Sequence, residues 1–142
     1  ITEQALKKCS FDINPVGSVL IAMYGANIGD IGILEIEATT NQAVCACNPF
    51  YGIEKRFLFN LLVSLKPSFV FQGAGAAQPN ISRVKIIQTI VPLPPLPEQR
   101  RIIAKIDHLM ACCNELEKQI ESSSNTQITL LESVLNFGSA LF

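Results

Sequence analysis

The chain has 142 residues, of which 49% are hydrophobic and 16% are charged, a balance typical of a globular domain rather than a disordered segment. Its formal net charge is −1, whereas free-standing DNA-binding domains are commonly strongly basic. No apolar run reaches the roughly 18 residues that a membrane-spanning helix needs. The chain opens with Ile1 and shows no signal sequence, which indicates a fragment of a cytoplasmic protein.

Three short strands are predicted in the first part of the chain. The segment "SVLIAMY" (18–24) is almost entirely apolar and predicts a buried strand, followed by a glycine-rich loop, "GANIGDIG" (25–32). The segment "ILEIEA" (33–38) alternates apolar and polar residues, which predicts a half-buried strand. A third strand, "QAVCACN" (42–48), stops before Pro49. We therefore expect a small mixed β-sheet within an α/β or α+β domain.

The middle of the chain predicts a helix, another short strand and a helical turn. The segment "IEKRFLFNLLVSLK" (53–66) has apolar residues three or four positions apart, so it predicts an amphipathic helix that ends at Pro67. The segment "SFVF" (68–71) predicts a strand. The segment "ISRVKIIQ" (81–88) predicts a short helical turn with Ser82 as its N-cap.

A proline-rich segment, "TIVPLPPL" (89–96), precedes a long helical pattern. The prolines fix φ and restrain the residues before them, so this segment predicts a rigid elbow. Pro97 suits the first helical position, and Glu98 places a negative charge near the positive end of the helix dipole. Apolar residues then recur at alternating steps of four and three, which predicts a heptad seam. The residues of this seam are Ile102, Ile106, Leu109, Cys113, Leu116, Ile120, Leu130, Val134, Phe137 and Leu141.

The polar stretch "SSSNTQ" (122–127) interrupts the seam and leaves two arrangements open. Either one helix continues through it, or two helices are joined by a serine-rich turn. The heptad phase resumes unbroken at Leu130, which favours one continuous, coiled-coil-forming helix. We expect self-association through this helix, because an exposed stripe of Ile, Leu and Phe is unfavourable in water.

Residues suited to catalysis or metal binding are sparse. The one histidine, His108, lies at a polar position of the predicted helix without a plausible catalytic triad. The glycine-rich loops lack the spacing of nucleotide-binding motifs. No cysteine pair has zinc-finger spacing, so we expect reduced thiols that act as small hydrophobic side chains at Cys9, Cys45, Cys47, Cys112 and Cys113. Redox sensing or metal binding is the alternative, for which the sequence offers no specific pattern. The sequence predicts no enzyme activity, no metal and no cofactor.

Polar side chains in the predicted loops and helix ends suit a surface that contacts DNA. Asparagine and glutamine pair with adenine, arginine pairs with guanine, and lysine suits phosphates. Ordinary solvated polarity is the alternative interpretation. The candidate DNA-binding residues are Tyr24, Asn27, Lys55, Arg56, Gln72, Gln78, Asn80, Arg83 and Lys85.

Three stretches of the chain resemble the DNA-specificity subunit of type I restriction–modification systems: "GSVLIAMYGANIGDIGILEIEATTNQAVCACNP", "GAGAAQPNISRVKIIQTIVPLPPLPEQRRIIAKID" and "LLESVLNFGSALF". The pattern Q-x-N-I-S…I-x-x-P-L-P-P-L-x-E-Q-x-x-I is the most specific part, and residues 1–16 carry less of the resemblance. Members of that family have α/β target recognition domains, each reading one half of a split DNA site. Long helices separate these domains, form an antiparallel coiled coil and set the spacing.

The resemblance implies that residues 1–96 are the C-terminal part of one target recognition domain and that residues 97–142 are its spacer or dimerisation helix. It also implies a non-catalytic subunit that binds double-stranded DNA and docks methyltransferase (modification) subunits and, through them, restriction subunits, without a membrane. Two alternatives stay open: a helix-mediated assembly module, and the specificity domain of a fused restriction–methyltransferase enzyme. The chain has no internal repeat, so it is either a fragment or a half-subunit.

Overall fold

The structure is a computed structural model that describes residues 12–73 and 80–139 together with Thr2, Gln4 and Lys8, with side chains described as far as residue 133. The chain divides into two compact units, Ile1–Ile103 and Ala104–Phe142. The functional boundary expected between residues 96 and 97 stays a prediction.

Within the described ranges, a small sheet is followed by helices. A single 3-10 turn, Gly25–Asn27, joins the first two strands. The regular elements are β1 (Val19–Ala22), β2 (Ile31–Ile33), β3 (Val44–Cys47), α1 (Lys55–Gly73), α2 (Arg83–Ile87) and α3 (Leu96–Ser139).

The sheet has the strand order β2-β1-β3, and β1 is its central strand. Ile21 of β1 lies opposite Ile31 on one side and Cys45 on the other. The predicted small sheet followed by a long helix is confirmed, although the described strands all pair antiparallel rather than in a mixed arrangement. Because alternate residues of β1 face the helices, the core gathers Val19, Ile21, Met23, Ile28, Cys45, Leu62, Phe69, Ile81 and Ile86.

The second strand is shorter and earlier than predicted. It covers Ile31–Ile33, and residues 34–38 form no strand. The alternation in this segment is misleading, because Ile36 is 70% exposed rather than buried. Gly17 N donates to Leu34 O at 2.8 Å, and Gly17 adopts φ of 90°. The segment before β1 therefore turns away from residue 34 at Gly17, and the ladder of hydrogen bonds between β1 and β2 stops there.

The first helix continues through its proline. The predictions that Pro67 ends the helix and that residues 68–71 form a strand are wrong, because α1 runs to Gly73. An interior proline costs about 3 kcal/mol, through a lost hydrogen bond and a ring clash with the carbonyl four residues back. That carbonyl belongs to Val63, which is 44% exposed, so it lies on the solvent side. Phe69 is fully buried, and burying it offsets about 1.5–3 kcal/mol of this cost.

Gly73 ends α1 where the helix passes close to Ile28 and Asn80. A Cβ added at Gly73 would overlap Ile28 Cδ1 and lie 3.1 Å from Asn80 O. We expect Gly73→Ala to lower the free energy of unfolding by about 1–3 kcal/mol, because its neighbours must shift. Gly32→Ala is the matched control, since nothing lies within 4 Å of its added Cβ. Urea unfolding of both variants measures the difference, and equal losses would contradict close packing at Gly73.

The short helix α2 forms as predicted. The Ser82 side chain accepts a hydrogen bond from Lys85 N at 3.4 Å, which satisfies one of the N–H groups that a helix leaves unpaired at its start. Ile86 is buried in the core, so the helix holds Arg83 and Lys85 at fixed positions on the surface of the domain.

The long helix α3 is continuous from Leu96 to Ser139, which confirms the arrangement that the heptad phase favours. In its polar stretch, Thr126 Oγ1 donates to Ser122 O at 2.9 Å, so the hydroxyl is satisfied without breaking the helix. The helix begins one residue earlier than predicted, and Pro97 occupies its second position. The missing N–H of Pro97 is tolerated there, because the first four N–H groups of a helix have no intrahelical acceptor.

Candidate nucleic-acid interface

The loop after β1 presents two of the predicted DNA-binding residues. Tyr24 is extended, 48% exposed and bridged through its backbone to Asn80. Ile81 N donates to Met23 O at 2.9 Å, which fixes the segment around Asn80 against the end of β1. Asn27 lies in the following 3-10 turn and is exposed. Tyr24 and Asn80 are therefore neighbours, although they lie far apart in the sequence, and Asn27 follows Tyr24 in the next turn.

The C-terminal end of α1 adds two more residues to this place. Lys85 Nζ donates to Gln72 O at 3.0 Å, so its positive charge lies at the negative end of the helix dipole. Gln72 Nε2 donates to Ser68 Oγ at 3.2 Å, and Gly73 next to it packs close to Asn80. We call Tyr24, Asn27, Gln72, Asn80 and Lys85 the polar end of the domain.

The polar end offers amides rather than a dense positive charge. Asn27 and Asn80 are exposed, and no described residue forms a hydrogen bond with either side chain. Each amide presents a donor and an acceptor side by side, the combination that pairs with the edge of adenine. Lys85 holds the end of α1, so its ammonium group already has one protein partner.

The other predicted DNA-binding residues lie elsewhere. Lys55 and Arg56 are exposed in the first turn of α1, about 25 Å along the helix from Gln72 at 1.5 Å per residue. Arg83 is two residues from Lys85 on α2, so the two side chains do not share a helix face. Arg83 instead lines a groove beside β3. Gln78 lies outside the described residues.

Gln99 is a buried polar residue that the sequence predictions did not include. It is fully buried in the first turn of α3. Its Oε1 accepts a hydrogen bond from Glu54 N at 2.9 Å, and its Nε2 donates to Gly52 O and Pro94 O, both at 2.8 Å. We call these three hydrogen bonds the Gln99 clamp. They join the proline-rich elbow, the start of α3 and the loop before α1.

Surface ion pairs surround the Gln99 clamp. Arg100 Nε lies 2.8 Å from Glu54 Oε1, with the arginine 69% exposed. Arg101 hydrogen-bonds to Glu98 in the same turn of α3 and lowers the pKa of that carboxyl. Exposed pairs of this kind contribute little stability, typically about 0–1 kcal/mol. The buried amide of Gln99 is therefore the stronger restraint.

A signal for Gln99 was present in the heptad pattern. Counting back three positions from Ile102 reaches residue 99, so a polar amide occupies the next position of the apolar seam. A polar residue at such a position usually marks a specific pairing rather than general burial.

The seam changes from partly buried to exposed along α3. Ile102 and Ile106 are half-buried, whereas Leu109, Leu116, Ile120 and Leu130 are between 50% and 68% exposed. Cys113 is exposed as well, the side chains of Val134 and Phe137 are not described, and Leu141 lies outside the described residues. The described seam therefore presents an apolar stripe beyond Ile106 without a partner in the described chain.

The residue types along the seam fit pairing of helices. Taking Ile102 as a d position places Ile106 and Ile120 at a and Leu109 and Leu116 at d. Branched residues at a with leucine at d favour two-stranded packing in parallel coiled coils. The stripe can therefore bury its apolar side chains against one further helix.

Two negative findings apply to the residues that the structure describes. No group of three or more His, Cys, Asp or Glu side chains among them is arranged to hold a metal ion. None of their helices combines the length and the apolar character that crossing a membrane requires.

The described domain therefore combines the polar end, beside the end of β1, with a helix whose apolar stripe has no partner among the described residues. The family model described as the type I restriction modification DNA specificity domain matches residues 1–123. The chain belongs to this family.

Curated relatives and solved structures agree with this family. The chain is 26% identical over 135 residues to the type I restriction enzyme MjaIX specificity subunit of Methanocaldococcus jannaschii, covering 94% of this chain and 31% of the relative. It is 33% identical over 110 residues to the EcoDI specificity subunit of Escherichia coli, covering 72% of this chain and 24% of the relative. The chain thus spans less than a third of the length of these relatives.

The crystal structure of the HsdS subunit from Thermoanaerobacter tengcongensis matches with a TM-score of 0.63 and 25% identity, covering 75% of this chain and 25% of that chain. A structure described as the structural basis underlying complex assembly and conformational transition of the type I R-M system matches with a TM-score of 0.65 and 26% identity. That match covers 85% of this chain and 30% of the other.

Proposed function

We propose that this chain is part of the specificity subunit of a type I restriction–modification system and reads one half of a bipartite site in double-stranded DNA. The observation that carries this proposal is the polar end, where residues from four separate segments of the chain meet around two exposed amides. Base edges are read by side chains of this kind, whereas phosphate contacts fix position. The chain itself performs no catalysis in this proposal and acts in the cytoplasm.

The second half of the proposal is that α3 is a spacer helix that pairs with another helix, and that the subunit docks methyltransferase subunits and, through them, restriction subunits. The exposed seam of α3 offers an apolar surface for another helix, either from the same protein or from a second copy. The Gln99 clamp would tie the first turn of this helix to the loop before α1 and to the proline-rich elbow.

Asn27→Ala and Asn80→Ala are expected to weaken binding to the cognate site selectively. Loss of one good amide–base pair costs about 1–3 kcal/mol, or roughly 5- to 150-fold in affinity. Binding to unrelated duplexes should change less than twofold or so, because phosphate contacts dominate it. The measurement is a titration of the full protein, assembled with its modification subunits, against the site that the complex methylates.

The matched control is Asn125→Ala, which removes the same amide from an exposed position on α3 away from the seam. It should leave both affinities unchanged. If the full protein binds every duplex equally well, it does not recognise a DNA sequence. If all three substitutions change the affinity equally, the polar end does not contact the DNA bases.

A helix-mediated assembly module is the second candidate function, and the exposed seam favours it independently of DNA. Association of the chain in sedimentation, together with no preference of the full protein for its cognate DNA site, would favour this candidate over the first. The third candidate, a specificity domain fused to a restriction and methyltransferase enzyme, is tested by sequencing the gene that encodes this chain together with its flanking DNA.

A further inference from the structure

Two cysteines lie together on one face of β3. Cys45 and Cys47 are two residues apart on the strand, so their side chains point in the same direction. Both line a groove of about 280 Å³ between β3, α1 and α2, together with Arg83. Cys45 is 5% exposed and Cys47 is half-buried, so the groove is the route by which a small molecule reaches the pair. This dithiol has no part in the proposed reading of DNA.

The surroundings distinguish the two thiols. Hydrogen bonding from Cys47 lowers the pKa of Cys45 to about 7, with Arg83 assisting and burial opposing the shift. The same hydrogen bond and burial raise the pKa of Cys47. Cys45 is therefore the more readily ionised of the two thiols. Thiolates, not thiols, attack peroxides and disulfides.

We propose that Cys45 and Cys47 are a peroxide-sensitive dithiol, in which Cys45 is the attacking residue and Cys47 resolves the product. The Cys45 sulfur attacks one oxygen of hydrogen peroxide, the O–O bond breaks, and Cys45 becomes a sulfenic acid as one water leaves. The Cys47 sulfur then attacks the Cys45 sulfur, the S–O bond breaks, and a second water leaves. Two thiols and one peroxide thus become one disulfide and two waters.

The strand can reach the disulfide geometry with a local movement. Residues two apart on an extended strand have Cα atoms about 6.4–6.8 Å apart, which is at the upper end of the separation that a disulfide bridges. In the described sheet, β3 is an edge strand that pairs with β1 alone. It can therefore bend around Ala46 with fewer lost ladder bonds than a central strand would have.

Oxidation would also act on Arg83, which faces the pair from α2. The disulfide removes the Cys45 thiolate, which the positive charge of Arg83 helps to stabilise, and bending of β3 alters the groove that all three residues line. Arg83 is one of the predicted DNA-binding residues but lies outside the polar end; if it contacts a DNA phosphate, peroxide should change DNA affinity. This consequence rests on the proposed function, whereas formation of the disulfide does not.

The chain with Cys9, Cys112 and Cys113 replaced by serine tests the chemistry without DNA. One equivalent of hydrogen peroxide should lower its mass by about 2 Da, reversibly with dithiothreitol, and should protect both remaining cysteines from alkylation. A folded chain, checked by circular dichroism, that keeps both thiols alkylatable after peroxide would overturn the proposal.

Variants at Cys47 test the division of roles. Without a resolving thiol, dimedone should trap a sulfenic acid at Cys45 in both Cys47→Ser and Cys47→Ala. Serine at position 47 keeps a hydrogen-bond donor for the Cys45 thiolate, whereas alanine does not. Cys47→Ala should therefore contain less Cys45 thiolate, although each thiolate is more nucleophilic. We expect the alanine variant to react with peroxide about fivefold more slowly than the serine variant. Trapping at neither variant, or equal rates in both, would contradict attack by a Cys45 thiolate that Cys47 stabilises.

DNA binding by the full protein with its modification subunits, before and after peroxide, separates the two proposals. A mass shift with no DNA binding in either state supports the dithiol proposal and rejects the proposed function. Cognate DNA binding without any mass shift supports the proposed function and rejects the dithiol proposal. A mass shift that leaves cognate binding unaltered rejects the coupling through Arg83.

Discussion

Gln99→Leu is expected to lower the free energy of unfolding by about 3 kcal/mol, the largest stability effect that we predict for a single side chain in this domain. Leucine has a similar size, so the packing volume is kept. The substitution leaves Glu54 N, Gly52 O and Pro94 O, which belong to half-buried residues, without the hydrogen-bond partner that the fully buried Gln99 supplies. Leaving a buried donor or acceptor unpaired costs about 1–3 kcal/mol per group, more than a normal hydrogen bond contributes. Urea unfolding followed by circular dichroism measures the loss.

Gln88→Leu is the matched control for this experiment. Gln88 is also a glutamine beside a helix end, but it is exposed and its side chain forms no hydrogen bond with a described residue. Its substitution should change the free energy of unfolding by no more than about 0.5 kcal/mol. If Gln99→Leu unfolds at the same urea concentration as the parent chain, the Gln99 clamp contributes no net stability and cannot hold the elbow.

Leu116→Glu is expected to abolish association of the chain through α3. Leu116 is a d residue of the seam and is 57% exposed, so a paired helix would bury it. Placing an unpaired carboxylate in a helix interface costs several kcal/mol, which corresponds to a loss of more than about 100-fold in affinity. Sedimentation velocity at micromolar concentration should show dimers or larger species for the parent chain and monomers for the variant.

Ala111→Glu supplies the control for the added charge. Residue 111 is exposed and lies at the f position, on the side of α3 opposite the seam. The same carboxylate there should leave association unchanged. A monomeric parent chain, or equal dissociation by both substitutions, would show that the seam does not mediate self-association and would leave another protein as its partner.

Local pattern accounts for the elements that the sequence predicted correctly. The period of the seam predicts one continuous α3 across residues 122–127, because backbone hydrogen bonds within a helix do not depend on a distant partner. The Ser82 cap of α2 is equally local, since a serine accepts from an N–H group three residues on. The apolar run of β1 predicts the central strand, because both neighbouring strands and the core shield it from water.

Predictions failed where the tertiary structure outweighs local preference. Pro67 has no local reason to lie within a helix, and α1 continues past it because Phe69 reaches the core. The alternation of residues 33–38 predicts a half-buried strand, yet the β1–β2 ladder ends where the segment before β1 turns at Gly17. Each of these outcomes depends on contacts between segments that are distant in the sequence.

The candidate site shows the same division. The polar residue types could be selected from the sequence, but their grouping could not. The Tyr24–Asn80 bridge and the Lys85–Gln72 hydrogen bond join four of them, while Lys55 lies at the other end of α1. Gln99 could have been noticed as a polar residue in the seam, yet its three partners come from two other segments.

The sequence by itself determined the long helix, its apolar stripe and the family resemblance, because heptad spacing and motif order are properties of neighbouring residues. Only the tertiary structure decided which polar groups form one surface and how the start of α3 is held. The physical reason is that a buried amide such as Gln99 needs hydrogen-bond partners wherever the fold supplies them, and those partners are fixed by packing rather than by position along the chain.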